Sequence, residues 1–260
     1  MTDKQDNGPD QAAIEAVAGY LSKASRVAVL TGAGISKESG IPTFRDAQTG
    51  LWANFNPEEL ATPQGFMKDP PMVWQWYDYR RKLLMDAQPN PGHCALVDLE
   101  NVVPKLTVIT QNIDGLHQKA GSKDVVELHG SIISFFCFDK RHPAVDVPFE
   151  LKEPPKCTVC GSMIRPGVVW FGEALPHEAL ERAIKECESS DVVLVVGTSG
   201  LVQPAASLPI MALRRNAKVV DVNPEATAIS DLAHVFLKAP SGSVLPQVVS
   251  ALQRLKAKTS

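Results

Sequence analysis

Short apolar runs, each ending in small or polar residues, constrain the fold of this chain more than any other feature. They occur at Arg26–Leu30, Lys105–Thr110, Val125–Leu128, Asp191–Val196, Ala217–Val222 and His234–Lys238. Continuous apolar runs of this length are typical of strands buried on both faces of a parallel sheet. The sequence therefore predicts a doubly wound α/β fold with a mainly parallel, Rossmann-like sheet.

Patterns typical of helices separate most of these runs. They occupy Gln11–Lys23, Pro71–Met85, His93–Glu100, Pro176–Glu188, Pro204–Asn216 and Val244–Leu255, and a further helix start is predicted at Pro57–Leu60. Residues 131–166 break the alternation, since they are rich in proline and show no helical period. We predict one domain over residues 1–260, with a core formed by 25–130 and 167–250 and a small inserted lobe at 131–166.

The composition excludes several kinds of partner. The net charge is -3, so no overall positive field favours nucleic acid. No apolar run approaches the length that crosses a bilayer, and the polar N-terminus lacks the apolar segment of a secretion signal. We therefore expect a cytoplasmic protein without nucleic-acid or membrane partners. Cys94 and Cys187 lie within helical patterns and are expected to be small buried apolar residues.

A polar segment rich in glycine follows the first run. It begins Thr31-Gly32-Ala33-Gly34-Ile35-Ser36 and continues to Asp46. Glycines after a buried strand allow a sharp turn and bring backbone amides close to a ligand such as a phosphate. Lys37 stands where the common dinucleotide fingerprint has its third glycine, so an ordinary tight turn remains an alternative. The glycine and proline content of the segment predicts a long binding loop and not a helix.

Polar residues also follow the next two runs. Gln111, Asn112, Ile113 and Asp114 follow the second, and His129 closes the third. Because the carboxyl ends of parallel strands share one edge of the sheet, we expect these side chains to meet in a crevice. A neutral imidazole can accept a proton near pH 7, which makes His129 the leading catalytic candidate, although a lone histidine is more often structural.

Five motifs occur in the order seen in the sirtuin family of NAD-dependent protein lysine deacylases: the glycine-rich segment, Gln111–Asp114, His129-Gly130, Gly197-Thr198-Ser199 and Asn223-Pro224-Glu225. The chain resembles that family from about Ser25 to Pro246. The resemblance implies NAD as the cofactor and catalytic roles for Asn112, Asp114 and His129. It implies that NAD is bound by Gly32, Ala33, Gly34, Ser36, Thr43, Phe44, Arg45, Gln111, Asn112, Ile113, Asp114, Gly197, Thr198, Ser199, Asn223, Pro224, Glu225 and Ser241.

The resemblance also implies a reaction. The carbonyl oxygen of an acyl-lysine attacks the anomeric carbon of the nicotinamide ribose, and nicotinamide leaves. His129 helps to deprotonate a ribose hydroxyl, which attacks the resulting imidate, and water completes a transfer that gives free lysine and O-acyl-ADP-ribose. Two other functions remain open: mono-ADP-ribosyl transfer from the same pocket, and a sensor that binds NAD or ADP-ribose without catalysis.

One segment resembles the part of a sirtuin that pairs with the extended backbone of a bound peptide. Its residues are Val168, Val169, Phe171, Gly172 and Glu173. An exposed strand edge can capture a peptide through its unpaired backbone groups. An ordinary buried strand fits the periodicity nearly as well.

Tyr77 and Arg80 share one face of the predicted helix Pro71–Met85. They resemble the pair found in sirtuins that remove succinyl, malonyl or glutaryl groups, whose acyl chains end in a carboxylate. A phenol and a guanidinium can bind a carboxylate together. The alternative is that Tyr77 packs with neighbouring tryptophans while Arg80 and Arg81 form a solvated face.

The cysteines depart from the family pattern. Sirtuins usually hold a structural zinc with two C-x-x-C pairs, and Cys157 and Cys160 form one such pair. In the other pair, which begins at Cys137, Lys140 replaces the second cysteine and cannot ligate zinc at neutral pH. A lobe without metal is one alternative; otherwise the fourth ligand is a water molecule, Asp139 or, preferably, His142.

Overall fold

The computed structural model describes residues 10–41 and 60–259. The strands of its main sheet are β1 (Val27–Thr31), β2 (Leu106–Thr110), β3 (Val125–Glu127), β7 (Val192–Val196), β8 (Lys218–Asn223) and β9 (Val235–Lys238), while β4 to β6 belong to a second sheet. The six strands pair in parallel in the order β3-β2-β1-β7-β8-β9. Strands β1, β2 and β7 are buried along their whole length. The predicted doubly wound parallel fold is confirmed.

Helices lie between these strands along the chain. They are α1 (Gln11–Lys23), α2 (Ala33–Ser36), α3 (Pro63–Lys68), α4 (Pro70–Asp86), α5 (Pro91–Val102), α6 (Leu116–Ala120), α7 (His177–Glu188), α8 (Leu208–Arg214) and α9 (Ser241–Thr259). Side chains of Asp10, Asp69 and Asn90 accept hydrogen bonds from the first turns of α1, α4 and α5, which satisfies amides that have no partner within the helix.

Two apolar cores cover the two faces of the main sheet. In one, Ile14 of α1, Leu96 of α5 and Val248 of α9 belong to the same buried cluster as alternate residues of β1. In the other, Ala183 of α7 and Leu208 of α8 belong to the same buried cluster as Ala28 and Leu30 of β1. Burying one such leucine or isoleucine side chain contributes about 1.5–3 kcal/mol, so these faces supply most of the stability.

The second sheet is small and antiparallel. Its strands β4 (Gly130–Cys137), β5 (Pro143–Ala144) and β6 (Ile164–Val168) pair in the order β5-β4-β6. Its strands begin at Gly130 and end at Val168, just outside the bounds predicted for the inserted lobe. Helices α3 and α4 join it through a third core that includes Phe66, Trp76, Ile132 and Trp170.

Some local predictions are wrong. Ala33–Ser36 is helical and Lys37–Ser39 forms a 3-10 turn, so the glycine-rich segment does not begin as an irregular loop. The predicted helix at Pro204–Asn216 is shorter, because 205–207 forms a 3-10 turn before α8. Cys94 is exposed, whereas Cys187 is buried as expected.

The helices that the structure describes include none long and apolar enough to cross a membrane.

Candidate active site

The carboxyl ends of β1 and β7 mark a switch point at the centre of the sheet. From β1 the chain continues to β2 and β3 on one side, and from β7 to β8 and β9 on the other. Open α/β sheets bind ligands in the crevice that forms where the strand order reverses in this way. The two segments that begin at Gly32 and at Gly197 follow these two strands directly.

The glycines of these segments pack backbone against backbone. The amide of Gly32 donates to the carbonyl of Val196 at 3.0 Å, and the amide of Gly34 donates to the carbonyl of Gly197 at 2.7 Å. A Cβ atom on Gly34 would lie 2.7 Å from the Cα of Gly197, and one on Gly32 would lie 2.8 Å from the Cβ of Thr198. Both amides are therefore engaged within the protein, and the glycines are required for close approach of two loops.

Asn112 and Asp114 form a hydrogen-bonded network with Ser36. The Ser36 hydroxyl donates to Oδ2 of Asp114 at 2.7 Å. The side-chain amide of Asn112 donates to Ser36 Oγ and to the carbonyl of Gly32, both at 3.1 Å. The second oxygen of Asp114 accepts from the amide of Leu116 at 2.9 Å. The polar residues after β2 are thus held against the segment after β1.

His129 lies directly after β3 and its ring orientation is fixed. Its Nδ1 lies 2.9 Å from the carbonyl oxygen of Gln111. A carbonyl can only accept, so Nδ1 carries the hydrogen and Nε2 presents a lone pair. Burial lowers the pKa of His129 below its ordinary value, which keeps the ring neutral at pH 7. The geometry therefore gives a neutral imidazole with a basic nitrogen.

The side chains of Gln111, Asn223 and Ser241, which were predicted to bind NAD, each have a polar partner within the protein. These pairs are Gln111 with Thr198, Asn223 with Asp221, and Ser241 with Glu38. Each leaves further donor or acceptor capacity on its residues.

The segment after β6 runs beside His129. The amide of Val169 donates to the carbonyl of His129 at 2.9 Å, and the amide of Phe171 donates to the carbonyl of Ala61 at 2.8 Å. Phe171 is 44% exposed. Glu173 instead accepts two hydrogen bonds from the buried guanidinium of Arg165, at 2.6 and 2.8 Å, so its carboxylate is engaged within the protein.

Tyr77 and Arg80 lie on α4 beside the third core. The Tyr77 hydroxyl accepts a hydrogen bond from the indole nitrogen of Trp170 at 2.8 Å, and its ring packs edge-on against Trp76. The guanidinium of Arg80 lies over the Trp76 ring, 4.9 Å from its centroid, and burial lowers the pKa of Arg80. The alternative of a solvated arginine face is wrong for Arg81, which is buried and donates to the carbonyl of Val147.

The cysteines of the small sheet come together with a histidine. Ligand atoms of Cys137, His142, Cys157 and Cys160 all lie within 4.8 Å of one another, and Asp139 does not belong to this group. Nδ1 of His142 lies 3.6 Å from Sγ of Cys137 and 3.7 Å from Sγ of Cys157. Zinc–sulfur bonds of about 2.3 Å in a tetrahedral site place ligand atoms about 3.8 Å apart. Three thiolates and an imidazole at these separations fit zinc.

Comparisons with known proteins show the family of this chain. The model of the Sir2 family, the sirtuins, matches residues 32–204. An NAD-dependent protein deacylase of Aquifex aeolicus is 50% identical over 87% of this chain and 95% of its own length. The chain belongs to the Sir2 family.

Solved structures of sirtuins have the same fold. A Sir2 homolog in complex with NAD superposes with a TM-score of 0.88 at 43% identity, covering 93% of this chain and 94% of the other. A Sir2 protein bound to a myristoylated histone peptide superposes with a TM-score of 0.76 at 34% identity, covering 96% of this chain and all of the other.

Not every residue predicted to bind NAD in this sirtuin can be located. Thr43, Phe44 and Arg45 lie outside the described residues. Of the other predicted residues, Asn223 is the last residue of β8 and Ser241 lies at the start of α9, while the rest lie in segments that follow the carboxyl ends of strands. Among them Ser199, Pro224 and Glu225 are exposed, and Ile113 packs against the third core.

Sequence reasoning missed a buried polar layer beneath the crevice of this sirtuin. Thr31 Oγ1 lies 2.8 Å from Thr110 Oγ1 and 2.9 Å from Nε2 of His117, and Thr110 Oγ1 accepts from the amide of Asn112 at 3.0 Å. His117 is structural, since only 1% of it is exposed. Threonines at the ends of apolar strands are the one sequence signal for this layer.

Proposed function

We propose that this sirtuin is an NAD-dependent protein lysine deacylase that removes acetyl groups and acyl groups ending in a carboxylate. The observation that carries the proposal is the orientation of His129, whose basic Nε2 belongs to a neutral ring after β3. A protein that only senses a nucleotide would not require such a base. The names of relatives at about half identity over most of the chain support the same conclusion.

The residues at the switch point suit NAD. Its ribose hydroxyls and amide need donors and acceptors, which Asn112, Asp114 and Asn223 supply. Gly34 and Gly197 project no side chain over the centre of the sheet, where a pyrophosphate requires room. When bound, NAD supplies an electrophilic ribose carbon and accepts the acyl group.

In this proposal His129 acts as the general base. Its Nε2 takes a proton from a ribose hydroxyl, and the carbonyl of Gln111 stabilises the imidazolium that forms, because it accepts the hydrogen on Nδ1. Asn112 and Asp114 orient the ribose through the network with Ser36. Val168, Val169, Phe171 and Gly172 capture the peptide backbone beside this base.

Tyr77 and Arg80 are proposed to bind the terminal carboxylate of a succinyl or malonyl group. Burial lowers the pKa of Arg80, which means that the cation is poorly solvated there. A carboxylate entering this place gains a charge-assisted hydrogen bond. Acetyl groups are smaller and enter the same space without this interaction.

The cluster of Cys137, His142, Cys157 and Cys160 is proposed to hold one structural zinc. The metal would tie β4 to the segment around the Cys157–Cys160 pair. Since the five cysteines form no disulfide, we also propose a cytoplasmic location, where thiols stay reduced.

One experiment separates the proposed function from its alternatives. The protein is incubated with NAD and with unmodified, acetylated or succinylated peptides of one sequence, and nicotinamide and peptide mass are measured. Deacylation predicts nicotinamide release that requires an acylated peptide, together with loss of the acyl mass. Release without any acyl group would indicate ADP-ribosyl transfer or NAD hydrolysis. Binding of ADP-ribose with no release would indicate a sensor.

A further inference from the structure

The side chain of Trp170 lies between the two proposed substrate-binding parts of the protein. Its indole nitrogen donates to the Tyr77 hydroxyl at 2.8 Å. Its backbone amide donates to Glu173 at 2.8 Å, and Phe171 of the proposed peptide-binding segment follows it in the chain. Trp170 and Tyr77 are 2% and 4% exposed, so this hydrogen bond is shielded from water.

The bond to Trp170 restricts what the Tyr77 hydroxyl can do. An indole nitrogen only donates, so the phenol oxygen acts as the acceptor and its own hydrogen cannot point along this bond. Burial raises the pKa of Tyr77 to about 12, so the phenol keeps this hydrogen at neutral pH. The hydrogen is therefore available to an acceptor on another side of the oxygen.

The indole itself is held rigidly. The guanidinium of Arg165 stacks on its ring at 3.3 Å from the centroid, and Phe66 packs against it at 5.2 Å. Arg165 is 2% exposed and its charge is balanced by Glu173 through two hydrogen bonds, so the stack carries no uncompensated charge. The indole N–H thus keeps one direction.

We propose that Trp170 is a specificity-determining positioning residue, whose indole N–H fixes the Tyr77 hydroxyl as a donor toward the terminal carboxylate of an acidic acyl group. This inference rests on the proposed function. A succinyl group needs that donor, because its carboxylate only accepts hydrogen bonds. An acetyl group ends in a methyl and gains nothing from it. Trp170 therefore raises the preference for acidic acyl groups without being needed for deacylation itself.

The test removes the indole N–H and keeps the ring. Trp170 is replaced by 3-benzothienylalanine, in which sulfur stands in place of the N–H. The measured quantity is kcat/KM for succinyl- and acetyl-peptides of one sequence. Losing one neutral hydrogen bond predicts a fall of about 3- to 10-fold for the succinyl-peptide. The acetyl-peptide should change by less than about 2-fold on the same scale.

Two comparisons separate a positioning role from a structural one. Trp74→Phe removes another buried indole N–H, which has no hydrogen-bond partner among the described residues, and should leave the succinyl-to-acetyl ratio unchanged. In a Tyr77→Phe background, replacing Trp170 by benzothienylalanine should no longer change the ratio, because no hydroxyl remains to be oriented. Equal falls on both peptides, or an unchanged effect in that background, would overturn the inference.

Failure of the proposed function gives a different result. A wild-type protein that deacylates neither peptide contradicts the deacylase function. One that deacylates the acetyl-peptide alone keeps that function and overturns both the acidic-acyl pocket and the role of Trp170.

Discussion

The amide of Gly34 donates to the carbonyl of Gly197 at 2.7 Å, which joins the segments after β1 and β7 at the centre of the proposed NAD site. Gly34→Ala would place a Cβ atom 2.7 Å from the Cα of Gly197. Relief requires the two backbones to separate, so we expect a loss of about 1–3 kcal/mol in the free energy of unfolding. NAD binding should also weaken. Urea denaturation and calorimetric titration measure these two effects.

Gly19→Ala is the matched control for this substitution. Gly19 lies within α1, and a Cβ atom added there meets nothing within 4 Å. Replacing a glycine inside a helix by alanine is expected to stabilise the protein by up to about 1 kcal/mol. A Gly34→Ala variant as stable as wild type, with unchanged NAD affinity, would show that the close packing is unimportant.

The parallel sheet was predictable because apolar runs such as Asp191–Val196 report burial on both faces. The meeting of the polar residues that follow these runs was also predictable, because the carboxyl ends of parallel strands share one edge of the sheet. The structural use of Gly34 was not, because it depends on Gly197, which is distant in the sequence and brought near only by parallel pairing. The short helix at Ala33–Ser36 was missed because the glycine content of this segment argues against a helix. Tertiary packing holds the helix in place instead.

The small sheet was harder to predict than the main one. Buried and exposed residues do not alternate regularly along β4, and its pairing with β6 shifts register between Ser131 and Phe135. The sequence of this strand therefore lacks the period of two that identifies a strand. Ligand chemistry favours His142 over Asp139 as the fourth metal ligand, and this assignment stays a prediction. Only the fold shows that His142 reaches the cysteines.

Replacing the base tests the role of His129. His129→Ala should leave the fold and NAD affinity largely intact and lower deacylation by at least about 100-fold, as expected for loss of a general base. Deacylation is measured by release of free lysine peptide, and NAD affinity by titration. Near-normal turnover in this variant would contradict the assignment.

The pH dependence provides a second test of His129. The base must be neutral to act, and burial lowers its pKa below the ordinary histidine value. Wild-type kcat/KM should therefore be constant around pH 7 and fall on the acid side, with a midpoint below about 6.5. A midpoint above this value would mean that the ring is stabilised in its charged form, against the geometry.

The metal cluster is tested by removing one ligand at a time. His142→Ala and Cys157→Ser should each lower bound zinc, from no more than one per chain, and lower the melting temperature. Asp139→Asn is the control and should change neither, since Asp139 is outside the cluster. Zinc is measured by elemental analysis. Zinc-free wild-type protein whose melting temperature does not respond to a chelator would show that the lobe folds without metal.

The proposed acyl pocket is tested at Arg80. Arg80→Met removes the guanidinium and should lower desuccinylation by about 10- to 150-fold, which corresponds to a charge-assisted hydrogen bond of roughly 1.5–3 kcal/mol. Deacetylation should be unchanged or improved. Arg81→Met removes a neighbouring guanidinium that is bound to the Val147 carbonyl, so it should lower stability without changing the succinyl-to-acetyl ratio. Equal losses of both activities in Arg80→Met would leave a plain deacetylase.

His117 makes the stability of the protein sensitive to acid. Burial, together with the nearby charge of His93, lowers the pKa of His117 to about 3. In the unfolded chain a histidine takes up its proton near pH 6.5, so between this pH and about 3 the unfolded state binds a proton that the folded state does not. The stabilisation from His117 is therefore fully present above pH 6.5 and is lost as the pH falls, by about 2 kcal/mol at pH 5. His117→Gln removes this titrating group, so its free energy of unfolding in urea should fall less steeply from pH 7 to pH 5 than that of wild type. Its stability at pH 7 is expected to be lower, because the contact with Thr31 changes, but only the slope tests the pKa. Parallel slopes for the two proteins would mean that His117 becomes charged in the folded state.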